Sequence, residues 1–456
     1  MLFSFGGRMN IIIIGAGRIG TNLSQSLAEE DHEVYLIEHD PKAATRAEEK
    51  LDVKVLRGNG ADPDVLRRAQ AADAALVLAV TTSDETNLVV CSLASLLGAR
   101  RRIARVRGTA LNEILNEFGY HHFHINEIIN PEEAAAREIV KTIEAPGTKE
   151  VAEFSGGRIL LRAFDVPEGS PLCDQTMEEL RDEDFPWPFL IVSIIRKTEV
   201  IIPRGDATVK AGDRIYVLLP KHSLGEFLTF VDPGVRLPKK VIIYGASITG
   251  RHVARGILNR VKDIIILEED LRKAKEISQQ LGEVRVMHGS GAEADTLNEC
   301  GVEAAGVFIA ATDNDHSNFI SAVLAKKMGA QRTIIETQEP EYMSLMKALD
   351  IDAIINPHYI AVEQILRLVR GRGIRAVTKL PECNAEALEF IPEPDAPVTR
   401  EAVRNIRFPK NAIIGAVDDG DRVALVNGDT RIQAGQKVIV FCQDSAVKKL
   451  QRLFTC

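Results

Sequence analysis

NIIIIGAGRIG, residues 10–20, is the stretch that decides the fold. Its four consecutive isoleucines, 11–14, are typical of a strand buried on both faces of a parallel sheet. Gly15, Gly17 and Gly20 follow with the spacing of the dinucleotide-binding fingerprint, which needs a tight turn, close backbone approach and close helix packing. Glu38 closes VYLIE where that fingerprint has an acid for the ribose hydroxyls. The stretch therefore predicts a nucleotide-binding domain.

The same pattern occurs a second time, in VIIYGASITG (241–250) and IIILEE (264–269). Gly15 and Gly245 are 230 residues apart, and so are Glu38 and Glu268. Other matched pairs are GNGAD (58–62) with GSGAE (289–293), and AVTTSDETN (79–87) with AATDNDHSN (310–318). The chain is therefore a tandem duplication of a segment of about half its length.

Composition narrows the class of protein. A hydrophobic content of 45% and a charged content of 27% are typical of a globular protein, and no apolar run reaches the ~18 residues of a membrane span. The net charge of −9 argues against nucleic acid as a partner. The six cysteines include no close pair, so we expect neither a disulfide framework nor a zinc site, and a reducing cytoplasm is the natural setting.

Strands and helices alternate in each repeat until a shift to short strands and glycine turns. This predicts an α/β protein with two Rossmann-like, doubly wound parallel-sheet domains, each followed by a small α+β domain that is mostly β. A sixth strand is expected near 123–125, a helix breaker at 145–148 and a linker at 232–238. The predicted domains are 9–145, 146–231, 239–371 and 373–456; residues 1–8 are expected to precede the first of them.

Polar residues follow the later strands of the first repeat, where the ligand edge of a parallel sheet is expected. Asn59-Gly60 and Thr81-Thr82 could contact a nucleotide, although ordinary loops are also small and polar. Arg105 ends the fifth strand and could pair with phosphate. In the second repeat Glu336 replaces Arg105 and Ser247 replaces Gly17. These two departures indicate that the second site binds differently, weakly or not at all.

One cluster of acids and one of histidines could suggest metal binding, but metal binding is not the preferred interpretation of either cluster. Asp84 and Glu85 lie at a predicted helix start, which favours helix capping. The histidines at 121, 122 and 124 lack an acid that would complete a metal site. No residue is placed to move a hydroxyl proton, as a dehydrogenase would require. We therefore expect no catalytic residues and no metal site.

Several motifs together resemble a known family: GAGRIG (15–20), LRGNGADPDVL (56–66), AVTTSDETN (79–87), RIARVR (102–107), LAKKMGA (324–330) and INPHYIA (355–361). They are similar to the nucleotide-binding RCK domains that regulate potassium conductance. The four-part layout resembles the family of peripheral TrkA subunits of Trk potassium-uptake systems. The resemblance covers the chain from Met9 onward.

The resemblance implies a non-enzymatic subunit on the inner face of the cell membrane, in the cytoplasm. It implies self-association into a dimeric or tetrameric ring, binding of NAD(H) or of ATP and ADP, and gating of a separate, TrkH-type integral membrane pore. Helices at 132–143 and 360–369 are interpreted as crossover or dimerisation elements, with core packing as the alternative. An NAD-dependent oxidoreductase and a stand-alone nucleotide or redox sensor remain alternative functions.

The resemblance also implies two sets of nucleotide-binding residues. The first set is Gly15, Ala16, Gly17, Arg18, Ile19, Glu38, Asn59, Gly60, Thr81, Thr82 and Arg105. The second set is Gly245, Ser247, Glu268, Ser290, Gly291 and Thr312.

Overall fold

In the computed structural model of the chain, the described residues are 8–144, 148–182, 185–197, 199–233, 238–339, 349–369, 374–380 and 385–455. The expected leading residues 1–7, most of the predicted helix breaker (145–147) and the centre of the predicted linker (234–237) lie outside them. The chain divides into two compact units, one containing residues up to Ile143 with Pro238–Val369, the other Glu144–Leu237 with Arg370–Cys456.

The first repeat opens with a parallel sheet. Its strands are β1 (Asn10–Ile14), β2 (Glu33–Glu38), β3 (Lys54–Arg57), β4 (Leu76–Ala79), β5 (Arg102–Arg105) and β6 (Glu127–Ile129). They lie in the order β3-β2-β1-β4-β5-β6, and each neighbouring pair is parallel. The strand order reverses at β1, as in a doubly wound fold, so the edge beside β1 and β4 is where a ligand is expected.

Helices follow the strands of this sheet. They are α1 (Arg18–Glu29), α2 (Pro41–Lys50), α3 (Pro63–Arg68), α4 (Asp84–Leu96), α5 (Thr109–Phe118) and α6 (Pro131–Glu144). The expected strand near 123–125 is wrong: Tyr120–Phe123 form a 3-10 turn, and the sixth strand begins at Glu127. The apolar residues of the Phe-His-Ile segment resembled a strand, but the residues that pair with β5 are the next ones along the chain.

A mostly β region follows. It contains β7 (Thr148–Phe154), β8 (Ile159–Asp165), α7 (Met177–Asp182), β9 (Leu190–Arg196), β10 (Glu199–Ile201), β11 (Arg214–Pro220) and α8 (Leu224–Val231). Its five strands form one sheet in the order β10-β9-β11-β8-β7 with antiparallel pairs. The prediction that this region has a mostly β fold built from short strands is confirmed.

The second repeat builds the same parallel sheet. Its elements are β12 (Lys240–Tyr244), α9 (Ile248–Ile257), β13 (Asp263–Glu268), α10 (Leu271–Gln280), β14 (Arg285–His288), α11 (Ala294–Glu299), β15 (Val307–Ala310), α12 (Asp315–Lys327), β16 (Thr333–Glu336), β17 (Ala353–Ile355) and α13 (Pro357–Val369). The order β14-β13-β12-β15-β16-β17 matches the first sheet strand for strand. The duplication predicted from sequence is therefore a duplication of fold.

The last region repeats the antiparallel plan. Its elements are β18 (Ile374–Leu380), β19 (Ala385–Phe390), β20 (Ala412–Asp418), β21 (Val423–Leu425), β22 (Lys437–Gln443) and α14 (Val447–Phe454). The two antiparallel sheets belong to one unit and share an apolar core, in which Phe154 and Tyr216 pack with Phe441. Arg158 adds a bidentate pair, with both Asp418 oxygens 2.7 Å from its Nη2.

The two parallel-sheet domains, which share the other unit, exchange helices. Ala361, Ile365 and Val369 of α13 lie in the core formed by β1 and α1 of the first repeat. Conversely, Ile139 and Ile143 of α6 lie in the core of the second sheet. The crossover role expected of these two helices is confirmed, and each one is also a core element of the other repeat. The exchange brings residues of the second repeat to the ligand edge of the first sheet.

Candidate functional site

A cavity of about 790 Å³ lies at the carboxyl ends of the first sheet's strands. All eleven residues predicted for the first site line it: Gly15, Ala16, Gly17, Arg18, Ile19, Glu38, Asn59, Gly60, Thr81, Thr82 and Arg105. These residues lie at or just after the ends of five strands, and the parallel sheet brings them together because its strand ends share one edge.

The glycine loop has two positions that only glycine fits. Gly15 has a φ of +105°, a conformation that side chains rarely tolerate, and it turns the chain from β1 towards α1. At Gly20 an added Cβ would lie 1.9 Å from the Gly15 carbonyl oxygen. The third glycine therefore lets α1 pack against the loop, as the fingerprint predicts.

Gly17 is the N-cap residue of α1, and no side chain caps this helix. A helix N-terminus carries backbone N–H groups without intrahelical partners, together with the positive end of the helix dipole. Gly17, Arg18 and Ile19 all line the cavity, and space is open around the Gly17 Cα. This end of the cavity can therefore receive an anion such as phosphate.

Glu38 lines the cavity, but its carboxylate also has a role within the chain. Oε2 accepts a hydrogen bond from the Ala16 amide at 2.6 Å, and Oε1 accepts one from the Asp40 amide at 2.8 Å. Glu268 makes the equivalent bonds to Ala246 and Asp270 in the second repeat. The shared acid thus ties the glycine loop to the end of the next strand in both repeats. Oε1 of Glu38 also lies 2.9 Å from His39 Nδ1, so Oε2 is the oxygen that retains a lone pair for a ribose hydroxyl.

Thr81 is held by Asn87, which is fully buried. The Thr81 amide and hydroxyl donate to the side-chain Oδ1 of Asn87 at 3.0 and 2.8 Å, and Asn87 Nδ2 donates to the backbone carbonyl oxygen of Arg105 at 2.8 Å. Thr312 and Asn318 make the same bonds in the second repeat. The threonine and the asparagine six residues later are thus shared by the two repeats. Their hydrogen bonds fix the conformation of the loop, and the threonine also lines the cavity.

The structure refines the interpretation of the acidic cluster. The helix start is confirmed, but Ser83 supplies the cap of α4 by accepting from the Thr86 amide at 3.1 Å. Asp84 instead accepts from the amides of Arg107 and Gly108 after β5, at 2.8–3.0 Å. Its carboxylate shapes the loop that carries Arg107. Among the described residues there is no group of three or more His, Cys, Asp or Glu that could hold a metal.

Arg105 is buried in the cavity wall, as its position at a strand end predicts. Its Nη2 lies 3.7 Å from Oε1 of Glu132, while its Nε has no hydrogen-bond partner within the described protein. Burial lowers the pKa of Arg105, and the nearby Glu132 carboxylate opposes that shift. A buried guanidinium with an unsatisfied N–H fits an anionic ligand group.

Among the lining residues that were not predicted from sequence are Arg107, Glu132, Gln338 and His358. Arg107 lies two residues after Arg105, so the RIARVR motif carried a signal for it. Glu132 pairs with Arg107, with Nε and Oε1 2.6 Å apart. Gln338 and His358 belong to the second repeat, and Gln338 accepts from Arg18 at 3.0 Å. Only the tertiary structure reveals these last two, because no local motif links them to the first sheet: His358 lies on the exchanged helix α13, and Gln338 follows β16.

The corresponding cavity of the second sheet is smaller, at about 240 Å³. Gly245, Ser247, Glu268 and Thr312 line it, whereas Ser290 and Gly291 do not.

Tyr244, which replaces Ile14 of the first repeat, occupies the space beside Gly291: an added Cβ there would lie 2.6 Å from the ring. The Tyr244 hydroxyl donates to Glu269, which also accepts from Ser290 at 2.6 Å. Burial, followed by the Glu269 hydrogen bond, raises the pKa of Tyr244 to about 12.

The phosphate end of the second cavity also differs. The Ser247 hydroxyl caps α9 by accepting from the Gly250 amide at 3.0 Å, so one helix N–H that is uncapped in the first repeat is satisfied here. Glu336 stands where Arg105 stands in the first repeat, and burial raises its pKa to about 8. Nearby carboxylates of Glu132, Asp313 and Asp315 add to that shift. This end favours neutral or cationic groups over phosphate.

Two domain families match the chain. The TrkA-N domain matches residues 11–131 and 241–357, and the TrkA-C domain matches 161–231 and 388–455. Each family therefore matches twice, in the alternating order of the four structural regions.

The chain is similar along its length to curated proteins. It is 31% identical to a Trk system potassium uptake protein TrkA of Halomonas elongata, covering 98% of each chain. It is 30% identical to a TrkA homologue of Archaeoglobus fulgidus, covering 98% of this chain and all of that one.

Solved structures show the same fold. The GsuK RCK domain superposes with a TM-score of 0.62 at 18% identity, covering 99% of this chain and 96% of that chain. The GsuK channel bound to NAD gives a TM-score of 0.62 at 17% identity, covering 99% and 80%. In this chain, no helix among the described residues is long and apolar enough to cross a membrane. With both domain families matched in duplicate and similarity along its full length, the chain belongs to the TrkA family of Trk potassium-uptake proteins.

Proposed function

We propose that this chain is a non-enzymatic regulatory subunit of a Trk potassium-uptake system, and that its first parallel-sheet domain binds NAD(H) or an adenine nucleotide. One observation carries the proposal. The uncapped N-terminus of α1 and the unsatisfied Nε of the buried Arg105 belong to the walls of the same cavity of about 790 Å³.

The residues present fit a dinucleotide. A volume of about 790 Å³ is within the range of pockets that enclose small molecules. The backbone amides after Gly17 and the guanidinium of Arg105 would hold phosphate, and Glu38 would accept ribose hydroxyls. Asn59, Gly60 and the threonines at 81 and 82 would border the rest of the ligand. Support also comes from the GsuK structures, which are described as bound to NAD and to ADP.

We assign one nucleotide to each chain, in the first repeat. The second cavity has about a third of the volume, a serine-capped helix and Glu336 in place of Arg105. Like charges brought together across a binding site cost several kcal/mol, so a carboxylate at that position opposes phosphate binding. The second set of predicted residues is accordingly proposed to retain the fold of the repeat and to bind nucleotide weakly or not at all.

The test is calorimetric titration of the full chain with NADH, NAD, ATP and ADP, repeated with Gly17→Asp and the matched Ser247→Asp. Both substitutions place aspartate at a helix N-cap, where it is favoured, and the Gly17 Cα has open space around it, so both variants should fold. We expect one site in the unsubstituted chain. Gly17→Asp should weaken it by about 100-fold or more, because its carboxylate faces the phosphate.

Three results would contradict this proposal. No binding of any of the four nucleotides would refute nucleotide sensing. Loss of binding in Ser247→Asp alone would move the site to the second repeat. Two sites, each lost with its own substitution, would refute the assignment of one nucleotide to each chain.

The proposed partner is an integral membrane pore subunit of the TrkH type, with this chain peripheral on the cytoplasmic face of the membrane. The curated relatives are named as Trk system potassium uptake proteins, which supports this proposal. A ligand shifts a conformational equilibrium only through its different affinities for the two states. Here the cavity takes residues from both repeats, so an occupant can favour one arrangement of the two sheets. Failure to co-purify with a co-expressed pore subunit would contradict the partnership.

We also propose that the chain self-associates into a ring through an apolar patch on the first sheet domain. The patch consists of large apolar side chains on α4, α5 and the turn that follows, each at least 41% exposed: Val89, Leu96, Ile114, Phe118 and Phe123. Contiguous exposed apolar side chains commonly mark interaction surfaces. Light scattering that finds only monomers at micromolar concentration would refute this proposal.

The alternative function is an NAD-dependent oxidoreductase. The observation that favours it is His358, an imidazole in the cavity wall and a type of group that can move protons. The test is nicotinamide absorbance with a panel of hydroxy and amino acids. Any turnover abolished by Gly17→Asp would support the enzyme and contradict the non-enzymatic proposal.

A further inference from the structure

His358 reaches the first site from the second repeat. It is the second residue of α13, whose apolar face packs in the core of the first sheet. Asn356 caps this helix by accepting from the amides of His358 and Tyr359, at 2.9 and 3.1 Å. Because the cap occupies these two backbone amides, the imidazole is the group that His358 offers to the cavity it lines.

The Nδ1 atom of the imidazole lacks a partner, and three arginines lie near the ring. Its Nδ1 is buried and has no hydrogen-bond partner within the described protein, as is also true of Arg105 Nε. The charged groups that act most on the pKa of His358 are the cations Arg105, Arg18 and Arg107, which lower it, and the acid Asp315, which raises it. Burial first, and then these arginines, lower the pKa of His358 to about 4, so the ring is neutral at pH 7.

We propose that His358 is a phosphate-contacting residue of the first nucleotide site, supplied by the second repeat through the exchanged helix. This inference rests on the nucleotide binding proposed above. A neutral imidazole with its proton on Nδ1 can donate one hydrogen bond to a phosphate oxygen. Two buried donors in one cavity wall, His358 Nδ1 and Arg105 Nε, would then both be satisfied.

The proposal gives the two repeats different roles in one site. The equivalent position on the other exchanged helix is Glu132, which pairs with Arg107 and leaves its Oε2 unpartnered. Both residues line the first cavity: Glu132 brings an acid that pairs with Arg107, whereas His358 brings a hydrogen-bond donor from the second repeat. A phosphate held by α1 and by His358 would link the glycine loop of the first repeat to the crossover helix of the second.

The experiment uses the full chain and two substitutions of His358, to Ala and to Asp. The matched control is Tyr359→Ala, the neighbouring position on the same helix, with 37% of its side chain exposed. NADH and adenosine are titrated by calorimetry, and thermal unfolding is recorded for each variant. Adenosine carries no phosphate, so a loss caused only by movement of α13 would affect both ligands.

We expect His358→Ala to weaken NADH binding by about 10- to 100-fold, the range for a hydrogen bond to a charged group. His358→Asp should weaken it further, because its carboxylate would repel phosphate. Adenosine affinity, the thermal midpoint and the Tyr359→Ala variant should remain unchanged. NADH affinity unchanged in both His358 variants, or an equal loss for NADH and adenosine, would overturn the inference. No NADH binding to the unsubstituted chain would refute the nucleotide proposal itself, and this inference with it.

Discussion

Glu336 stands where the first repeat has Arg105, and replacing it with glutamine should stabilise the protein at alkaline pH. Its side chain is buried, its Oε2 has no partner within the described protein, and the neighbouring acids Glu132 and Asp315 disfavour its charge. Glutamine has nearly the same shape as the protonated acid and removes only the ability to ionise. The variant therefore isolates the free-energy cost of a buried carboxylate.

The pKa of Glu336 rises from its ordinary 4.5 to about 8, mainly through burial. At about 1.36 kcal/mol per pH unit, this shift is linked to at most roughly 5 kcal/mol of unfolding free energy. The folded state holds the proton more tightly than the unfolded state does. The contribution of Glu336 is thus fully present below the unfolded pKa and is lost as pH rises through about 8. Because the protein relaxes around a buried charge, we expect the ionisation of Glu336 to lower the unfolding free energy by about 2–3 kcal/mol.

The assay is urea unfolding of the full chain and of Glu336→Gln, from pH 5 to pH 9. The two should have similar stability at pH 5, and the variant should be more stable by about 2–3 kcal/mol at pH 9. Glu303→Gln, an exposed position in the same domain, should follow the unsubstituted chain at every pH. A constant difference between Glu336→Gln and the unsubstituted chain, or none, would refute the argument that Glu336 is held protonated by burial.

Two further predictions concern the helix exchange and self-association. Ile365→Ala should lower the unfolding free energy by about 2–5 kcal/mol, because this fully buried residue of α13 lies in the core of the first sheet. A loss below about 1 kcal/mol in urea unfolding would contradict that packing. Phe118→Glu should reduce the mass measured by light scattering while the chain remains folded, since Phe118 is 64% exposed. An unchanged mass would exclude Phe118 from the interface.

Most of the fold could be read from local patterns. The buried isoleucine run predicts β1, and the alternation of strands and helices predicts the parallel sheets. Both can be predicted from sequence because hydrophobic periodicity and glycine spacing are patterns within a few residues. The local pattern predicts the sixth strand a few residues too early, since pairing with β5 is a contact between segments distant in sequence. For the same reason the local pattern favours Asp84 as a helix cap, whereas its carboxylate accepts from amides more than 20 residues away.

The sequence by itself determined the duplication, the glycine turn at Gly15 and the lining of the first cavity, since one sheet edge collects these strand-end residues. Only the tertiary structure decided that His358 and Gln338 join that cavity, and that Tyr244 narrows the second one. Tyr244 narrows the second cavity because its ring packs beside Gly291, whereas His358 reaches the first cavity through the exchange of α6 and α13. Each helix is amphipathic in its own sequence, but the sheet that buries its apolar face is chosen by packing across the whole unit.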